Sequence, residues 1–481
     1  MQMIKSFSAV LAFFFLIYSA KLFAQSDTCN CSSNLQKLIA KTEENYAGFP
    51  VKVNKQTRNA YQQLKYNLLA KATNENNPKA CFAVLKEYVR FFKDKHFNLV
   101  YPIERGYEMV QETEAGFKQS LSKKSLADIE GIWVNADSSI KLGIRKHVGN
   151  TFKAVVLVSS NTKYPVGLVY FTLQTAKNGF VVKEHDRLIA TDIPAKQRGQ
   201  LLKIWSDALF GKVYPGQMSA AEQEELNTWK GRRNGLIAKK LSDKTAYLKV
   251  PTFLSNDDLI QQLVNQNDSL FRSCDNLIVD LTGNGGGNTG WVAFLPYFMT
   301  NPVVQYDTYL RVTPENVQSK LADLAPFATA PIPDEYKKYF PEPVLAAYKK
   351  AYQELPTTKA AFYPIPGVTF PLDSIIKKPK HIGLIVDDFC GSSAEYFFSL
   401  TKQSKKTITY GIPTIGMMDY EGMSNPTPLP YSKFIVTIPI VQSSWTSKHP
   451  IDQTGFKPAI LLNQLDQTKW VDFVRRDLER R

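Results

Sequence analysis

Apolar residues recur at helical spacing in the first part of the chain. Leu35, Leu38, Ile39 and Tyr46 form one such set, and Phe82, Leu85, Val89 and Phe92 another. That period predicts amphipathic helices over about residues 34–116, separated by Pro50 and the 74–78 stretch. From about Ile129 to Phe180 the period falls to two. Segments 140–144, 151–158 and 167–173 alternate or run β-branched and aromatic between Gly and Asn turns. This predicts a small antiparallel β-domain, of a kind that can close into a barrel, ending near residues 205–214.

After Gly235 the texture becomes alternating α/β. A strand at 246–250 is followed by a helix at 257–272 and an apolar strand at 277–281. A second buried strand at 382–386 precedes a helix starting near Ser393, with further strands at 407–410 and 433–441. Strands alternating with helices predict a mostly parallel sheet covered on both faces. A Pro- and Tyr-rich stretch at about 301–380, with a helical piece around 342–354, reads as an insertion or cap. The expected domains are 25–125 (helical), 126–230 (antiparallel β) and 231–481 (α/β, with that insertion).

Residues 1–24 read as a secretory signal. Lys5 supplies the positive start, residues 9–20 the apolar core, and Ala24 the small residue before a cut at Gln25. The apolar run is too short to span a bilayer, and no other stretch is long enough. The expected location is therefore secreted or periplasmic. In an oxidising compartment, Cys29 or Cys31 is expected to bond to Cys81, leaving Cys274 and Cys390 as buried thiols. No His or Cys cluster completes a metal site around Cys29 and Cys31.

With 44% hydrophobic and 21% charged residues, the chain is neither disordered nor fibrous. Its formal net charge of +15 is scattered, and its densest basic groups (93–95, 377–380, 402–406) carry no nucleic-acid motif. Nucleic acid is excluded as a partner.

Two segments could carry chemistry. The first is Asp280-Leu281-Thr282-Gly283-Asn284-Gly285-Gly286-Gly287-Asn288-Thr289-Gly290, directly after a buried strand. Its glycines allow sharp turns and close approach, and its N–H groups can hold an anion or an oxyanion. A Walker loop needs Gly-Lys-Ser/Thr, which is absent. Gly285, Gly287 and Gly290 fit a dinucleotide fingerprint literally, with Asp307 as the acid. A plain glycine turn is the third reading.

The second segment is Asp387-Asp388-Phe389-Cys390-Gly391-Ser392-Ser393-Ala394-Glu395, where a strand ends and two serines open a helix. A serine there is either a nucleophile beside a positive helix end or a helix cap. A nucleophilic serine needs a base. His147, His185 and His381 sit in predicted strands or at their ends and read as structural. The spacing alone does not separate His96 from His449.

Together these segments resemble the tricorn-type and tail-specific (C-terminal-processing) serine peptidases. Leu277–Gly287 resembles the family's oxyanion segment, and Gly391-Ser392-Ser393-Ala394-Glu395 its nucleophile turn. Asp94-Lys95-His96 resembles its histidine motif. Asp452-Gln453-Thr454-Gly455-Phe456-Lys457-Pro458 resembles its C-terminal acidic pattern.

The resemblance implies an α/β core of crotonase-like type, with a mixed sheet and helices. It implies a peptide or protein substrate, no metal and no cofactor. It assigns Ser392 as nucleophile, His96 as base and Asp452 as its orienter, with N–H groups of Gly285 or Gly286 and of Ser393 as the oxyanion hole. The sequence departs from the family in three places. Met417 stands where the tail-specific lysine would be, Lys95 replaces the tricorn-type second serine, and the β-domain occupies the place of a PDZ segment. The expected function is thus an exported serine endopeptidase working through an acyl-enzyme. The alternative is a non-catalytic, peptidase-like protein that binds peptides or glycans, with Ser392 as a cap.

Overall fold

The computed structural model describes residues 28–122, 127–231, 234–337 and 340–481. The secretory-signal pattern lies outside these residues.

A six-stranded sheet lies under the site. Its order is Ile237–Lys240, Thr245–Lys249, Asn276–Asp280, His381–Val386, Thr407–Gly411 and Ile460–Leu461. The first pair is antiparallel and all the others are parallel. The apolar runs of the central strands follow from burial on both faces. Leu277 and Val279 pack with the helices Asp257–Ser273 and Ser393–Thr401. Ile278 and Ile385 face the other way, onto Trp470, Val474 and Leu478 of the last helix.

The two-residue period of the middle region produces eight antiparallel strands that close into a barrel. The last of them, Ala208–Tyr214, pairs with the first, Gly131–Asn135. Trp133, Leu142, Ile144, Phe171 and Leu202 are among its core residues. The hairpin turn between Leu201–Ile204 and Ala208–Tyr214 carries Trp205, Ser206 and Asp207 toward the sheet's glycine loop.

The N-terminal helices Cys31–Asn45, Arg58–Ala72 and Pro78–Phe91 pack around buried Tyr46, Tyr61, Tyr88 and Phe92. The Cys31–Cys81 disulfide ties two of them together, while Cys29, Cys274 and Cys390 are free and buried. The helical expectation fails between Phe92 and the helix Glu114–Leu121. Residues Asn98–Pro102 form a strand, because they pair on one side with Ile435–Thr437 and on the other with Arg187–Ile189. That sheet pins the 93–97 loop over the core.

The 301–380 stretch is tied into the core sheets. Thr308–Arg311 joins Phe362–Ile365 to the late strand Pro439–Ser443, which also pairs with Tyr420–Met423. Among the described residues no helix is long and apolar enough to cross a membrane.

Candidate active site

The strand His381–Val386 leads into a turn whose backbone is fixed from three directions. Gly391 N–H donates to Asn284 O (3.1 Å), Ile415 N–H to Cys390 O (2.9 Å), and Cys390 Sγ to Leu281 O (3.0 Å). This fixing holds Ser392 at φ 49° and ψ −122°, a region that costs a non-glycine residue about 1–3 kcal/mol. The helix Ser393–Thr401 begins there, yet the Ser392 side chain makes no capping bond. Its Oγ instead lies 3.0 Å from His96 Nε2.

Only glycine fits beside this turn. A Cβ on Gly391 would meet Ile415 Cγ2 and Met417 Sδ at 2.7 Å each. A Cβ on Gly286 would lie 2.7 Å from Gly391 O and Ser392 Cβ, and 2.8 Å from Ser393 N. Met417, at the expected lysine position, therefore packs against the nucleophile turn through an apolar thioether.

His96 sits in the loop between the helix Pro78–Phe91 and the strand Asn98–Pro102. Asp94 shapes that loop. One of its oxygens accepts the His96 N–H (2.8 Å) and the other accepts the Tyr46 hydroxyl (2.7 Å). Lys95 fastens the loop to the core, its Nζ donating to Ile415 O (2.9 Å) and Gly416 O (3.3 Å). On the far side of the ring, Nδ1 lies 2.8 Å from Tyr420 O. A carbonyl can only accept, so the hydrogen-bond network assigns the proton to Nδ1 and leaves Nε2 as an acceptor facing Ser392.

Two sequence-based assignments need correction. Asp452 does not contact the His96 ring among the described residues. Its carboxylate pairs with Lys52, and its N–H donates to Asp419 Oδ2 (2.7 Å). Asp419 also accepts the Ile451 N–H (2.9 Å), and this holds the 451–452 turn so that the side chain reaches Lys52. The Tyr420 carbonyl takes the orienting place. Burial raises the Asp452 carboxyl above the ordinary range, and Lys52 opposes that shift.

The second correction concerns the oxyanion donors. Gly285 N–H donates to Ser206 Oγ of the barrel hairpin (2.7 Å), and Gly286 N–H to Asn284 Oδ1 (2.9 Å). Both are taken. Among the described residues the N–H groups of Gly287 and Ser393 form no hydrogen bond.

The dinucleotide reading also fails. A Cβ on Gly287 would meet Leu254 N at 2.3 Å, and one on Gly285 would meet Trp205 Nε1 at 2.4 Å, so protein already fills the space beside this loop. The loop leads into the one-turn 3₁₀ segment Gly290–Ala293 rather than a helix that could face a pyrophosphate. His449 is exposed, and His185 Nδ1 donates to Tyr170 O (2.9 Å) within the barrel region.

Sequence reasoning missed several supporting groups. Glu395 is fully buried and accepts from Thr414 Oγ1 (2.6 Å), Gly416 N–H (2.7 Å) and Met417 N–H (2.8 Å). Burial pushes its carboxyl up to about 7 against these bonds. It locks the helix carrying Ser392 to the loop that receives Lys95. A glutamate in the first turn of the helix was the available signal, although it read equally well as a dipole partner. Asn284 is likewise fully buried and braces the glycine loop on Val250 O (2.9 Å).

Residues 244–462 match the profile of peptidase family S41. Among solved structures, mature CPAF is similar over 93% of this chain and 96% of its own, at 14% identity and a TM-score of 0.52. Mature CPAF complexed with lactacystin gives the same identity and TM-score over 93% of this chain and 98% of its own. At that identity the likeness shows the fold. The tricorn protease is similar over 94% of this chain and 37% of its own, at 12% identity and a TM-score of 0.38. No curated protein matches the chain.

Proposed function

We propose, from the match of residues 244–462 to the serine-type peptidase family S41 and from the geometry of the site, that this chain is an exported endopeptidase working through an acyl-enzyme on Ser392. One observation carries the reading: the Ser392 Oγ to His96 Nε2 separation of 3.0 Å, with Nδ1 held by a carbonyl. Ser392 Oγ attacks the peptide carbonyl carbon as its proton passes to Nε2. The resulting imidazolium gives that proton to the leaving amine, and the C–N bond breaks. Water then repeats the sequence, with His96 again as base, and releases the carboxylic product.

The Ser393 N–H, at the positive end of its helix, and the Gly287 N–H are the donors assigned to the oxyanion. A carbonyl orienter fixes the tautomer but adds only a dipole beside the imidazolium. The charge-assisted part of a carboxylate orienter is therefore absent. Export is supported by the Cys31–Cys81 bond together with the signal pattern at residues 1–24. The parallel strands under the glycine loop support a crotonase-like core.

A binding-only protein with Ser392 as a helix cap is less well supported, since the side chain makes no capping bond. Removing such a nucleophile costs about a millionfold in rate. Ser392→Ala should therefore abolish hydrolysis of a fluorogenic casein substrate that the parent cleaves. Full activity in that variant would refute the assignment.

A further inference from the structure

On the other side of the glycine loop, the barrel and the carboxyl edge of the sheet line a partly open chamber of about 190 Å³. This space has room for a small ion together with water. The crevice beyond the carboxyl ends of parallel strands is where α/β sheets collect ligands. A second, wider groove shares Lys196, Gln467 and Trp470 with this chamber and adjoins it.

The charges in the chamber do not cancel group by group. Glu225 takes two cations, Arg198 and Lys249 (3.4 Å from the latter). Asp280 accepts the Tyr247 hydroxyl (2.7 Å) and the Thr282 N–H (2.9 Å). Asp387 accepts the Gly283 N–H (3.0 Å), the Phe389 N–H (3.1 Å) and Gln467 Nε2 (3.2 Å). Every carboxylate is thus bonded at least twice. Lys203 is the remainder: its Nζ is buried and has no hydrogen-bond partner among the described residues, lying 3.8 Å from the ring centroid of Trp229, with the Asp207 carboxylate acting on it by charge alone. An ammonium withdrawn from water without an acceptor is costly.

We propose that this chamber is an anion-binding site in which Lys203, with Arg198 and Lys249 nearby, receives a compact oxyanion, a phosphate or a carboxylate. The anion supplies the acceptor that Lys203 lacks, and the volume suits one such group with its water. Burial lowers Lys203 to about 7, so the site disfavours the bare ammonium, and a bound anion would favour its charged form.

The site also touches the catalytic loop. A Cβ on Gly283 would lie 3.2 Å from Lys203 Cε. Lys203 is also on the strand that leads into Trp205 and Ser206, the residues holding Phe389 O and Gly285 N–H. Occupancy therefore tightens the contact between the barrel hairpin and the glycine loop.

Titration calorimetry on the full mature protein, slightly below neutral pH, tests this with inorganic phosphate and with acetate as separate ligands. Ser392→Ala protein serves equally, so the readout does not depend on hydrolysis. One ion per chain is expected, with an accompanying rise in melting temperature. Phosphate alone binding identifies a phosphate site, and both binding identifies a general oxyanion site. A charged hydrogen bond is worth about 1.5–3 kcal/mol, so Lys203→Met should weaken binding about ten- to hundredfold. Lys203→Arg should restore most of it, and Lys405→Met at an exposed lysine should change nothing. Binding of neither ion by the parent protein, or equal binding by Lys203→Met, overturns the proposal.

Discussion

The glycine loop at 283–287 has two shoulders, and they are built on opposite rules. On the core shoulder, Ser392 is held in a strained conformation and its hydroxyl meets an imidazole acceptor whose other nitrogen is already bonded. On the barrel shoulder, the hairpin residue Ser206 consumes a loop N–H, and Lys203 is left without any hydrogen-bond acceptor. Strain held by a bonded serine–imidazole–carbonyl chain gives one defined geometry, which proton transfer requires. An unsatisfied buried charge gives a place with something missing, which a ligand can complete. One loop thus joins a face suited to chemistry and a face suited to binding.

The comparison breaks most severely at Gly286. A Cβ there would press on Gly391 O, Ser392 Cβ and Ser393 N together. A misplacement of about 1 Å at reacting atoms can cost about a hundredfold, so Gly286→Ala should lose at least that in kcat. Peptide hydrolysis by the purified, folded variant reads this out. Near-parental turnover would show that the core shoulder tolerates movement.

A smaller loss is expected from Glu395→Gln. The amide would turn an N–H₂ toward donors that now meet the carboxylate, and a buried mismatch of about 1.4 kcal/mol is a factor of about ten in kcat/KM. The pH dependence of stability sharpens the point. Glu395 is raised from 4.5 to about 7 in the folded protein, so folding favours its protonated form. Its contribution is complete below about 4.5 and is lost as pH rises through about 7. Melting temperatures measured across that window should fall less steeply in Glu395→Gln than in the parent. Identical slopes would show that the carboxyl is not held near 7.

The mildest change is Ser206→Ala on the barrel shoulder. It removes the acceptor of one loop N–H, with a cost of about 1 kcal/mol in unfolding free energy and less than a threefold change in kcat. A collapse of activity comparable to that of Gly286→Ala would show that the two shoulders act as one.

What was legible in the sequence follows the same division. Ser392 and His96 were reached through the family resemblance: local pattern alone left Ser392 open as nucleophile or helix cap, and spacing alone did not separate His96 from His449. Asp452 was misassigned because a main-chain carbonyl, Tyr420 O, does the orienting, and carbonyls have no residue signature. The engaged state of Gly285 N–H depends on a barrel residue that no spacing within the loop could announce. The strand Asn98–Pro102 was hidden for a related reason: its partners, Ile435–Thr437 and Arg187–Ile189, are distant in the chain. The central sheet was readable because burial on both faces leaves uninterrupted apolar runs.

The central claim is that the His96 ring takes the proton of Ser392, and the rate of fluorophosphonate labelling tests it most directly. A positioned general base contributes about a hundred- to ten-thousandfold. The parent protein should carry the adduct on Ser392 by mass spectrometry, and His96→Ala should label at least about a hundredfold more slowly. Equal labelling rates in the two proteins, or an adduct on any other residue, would contradict the account.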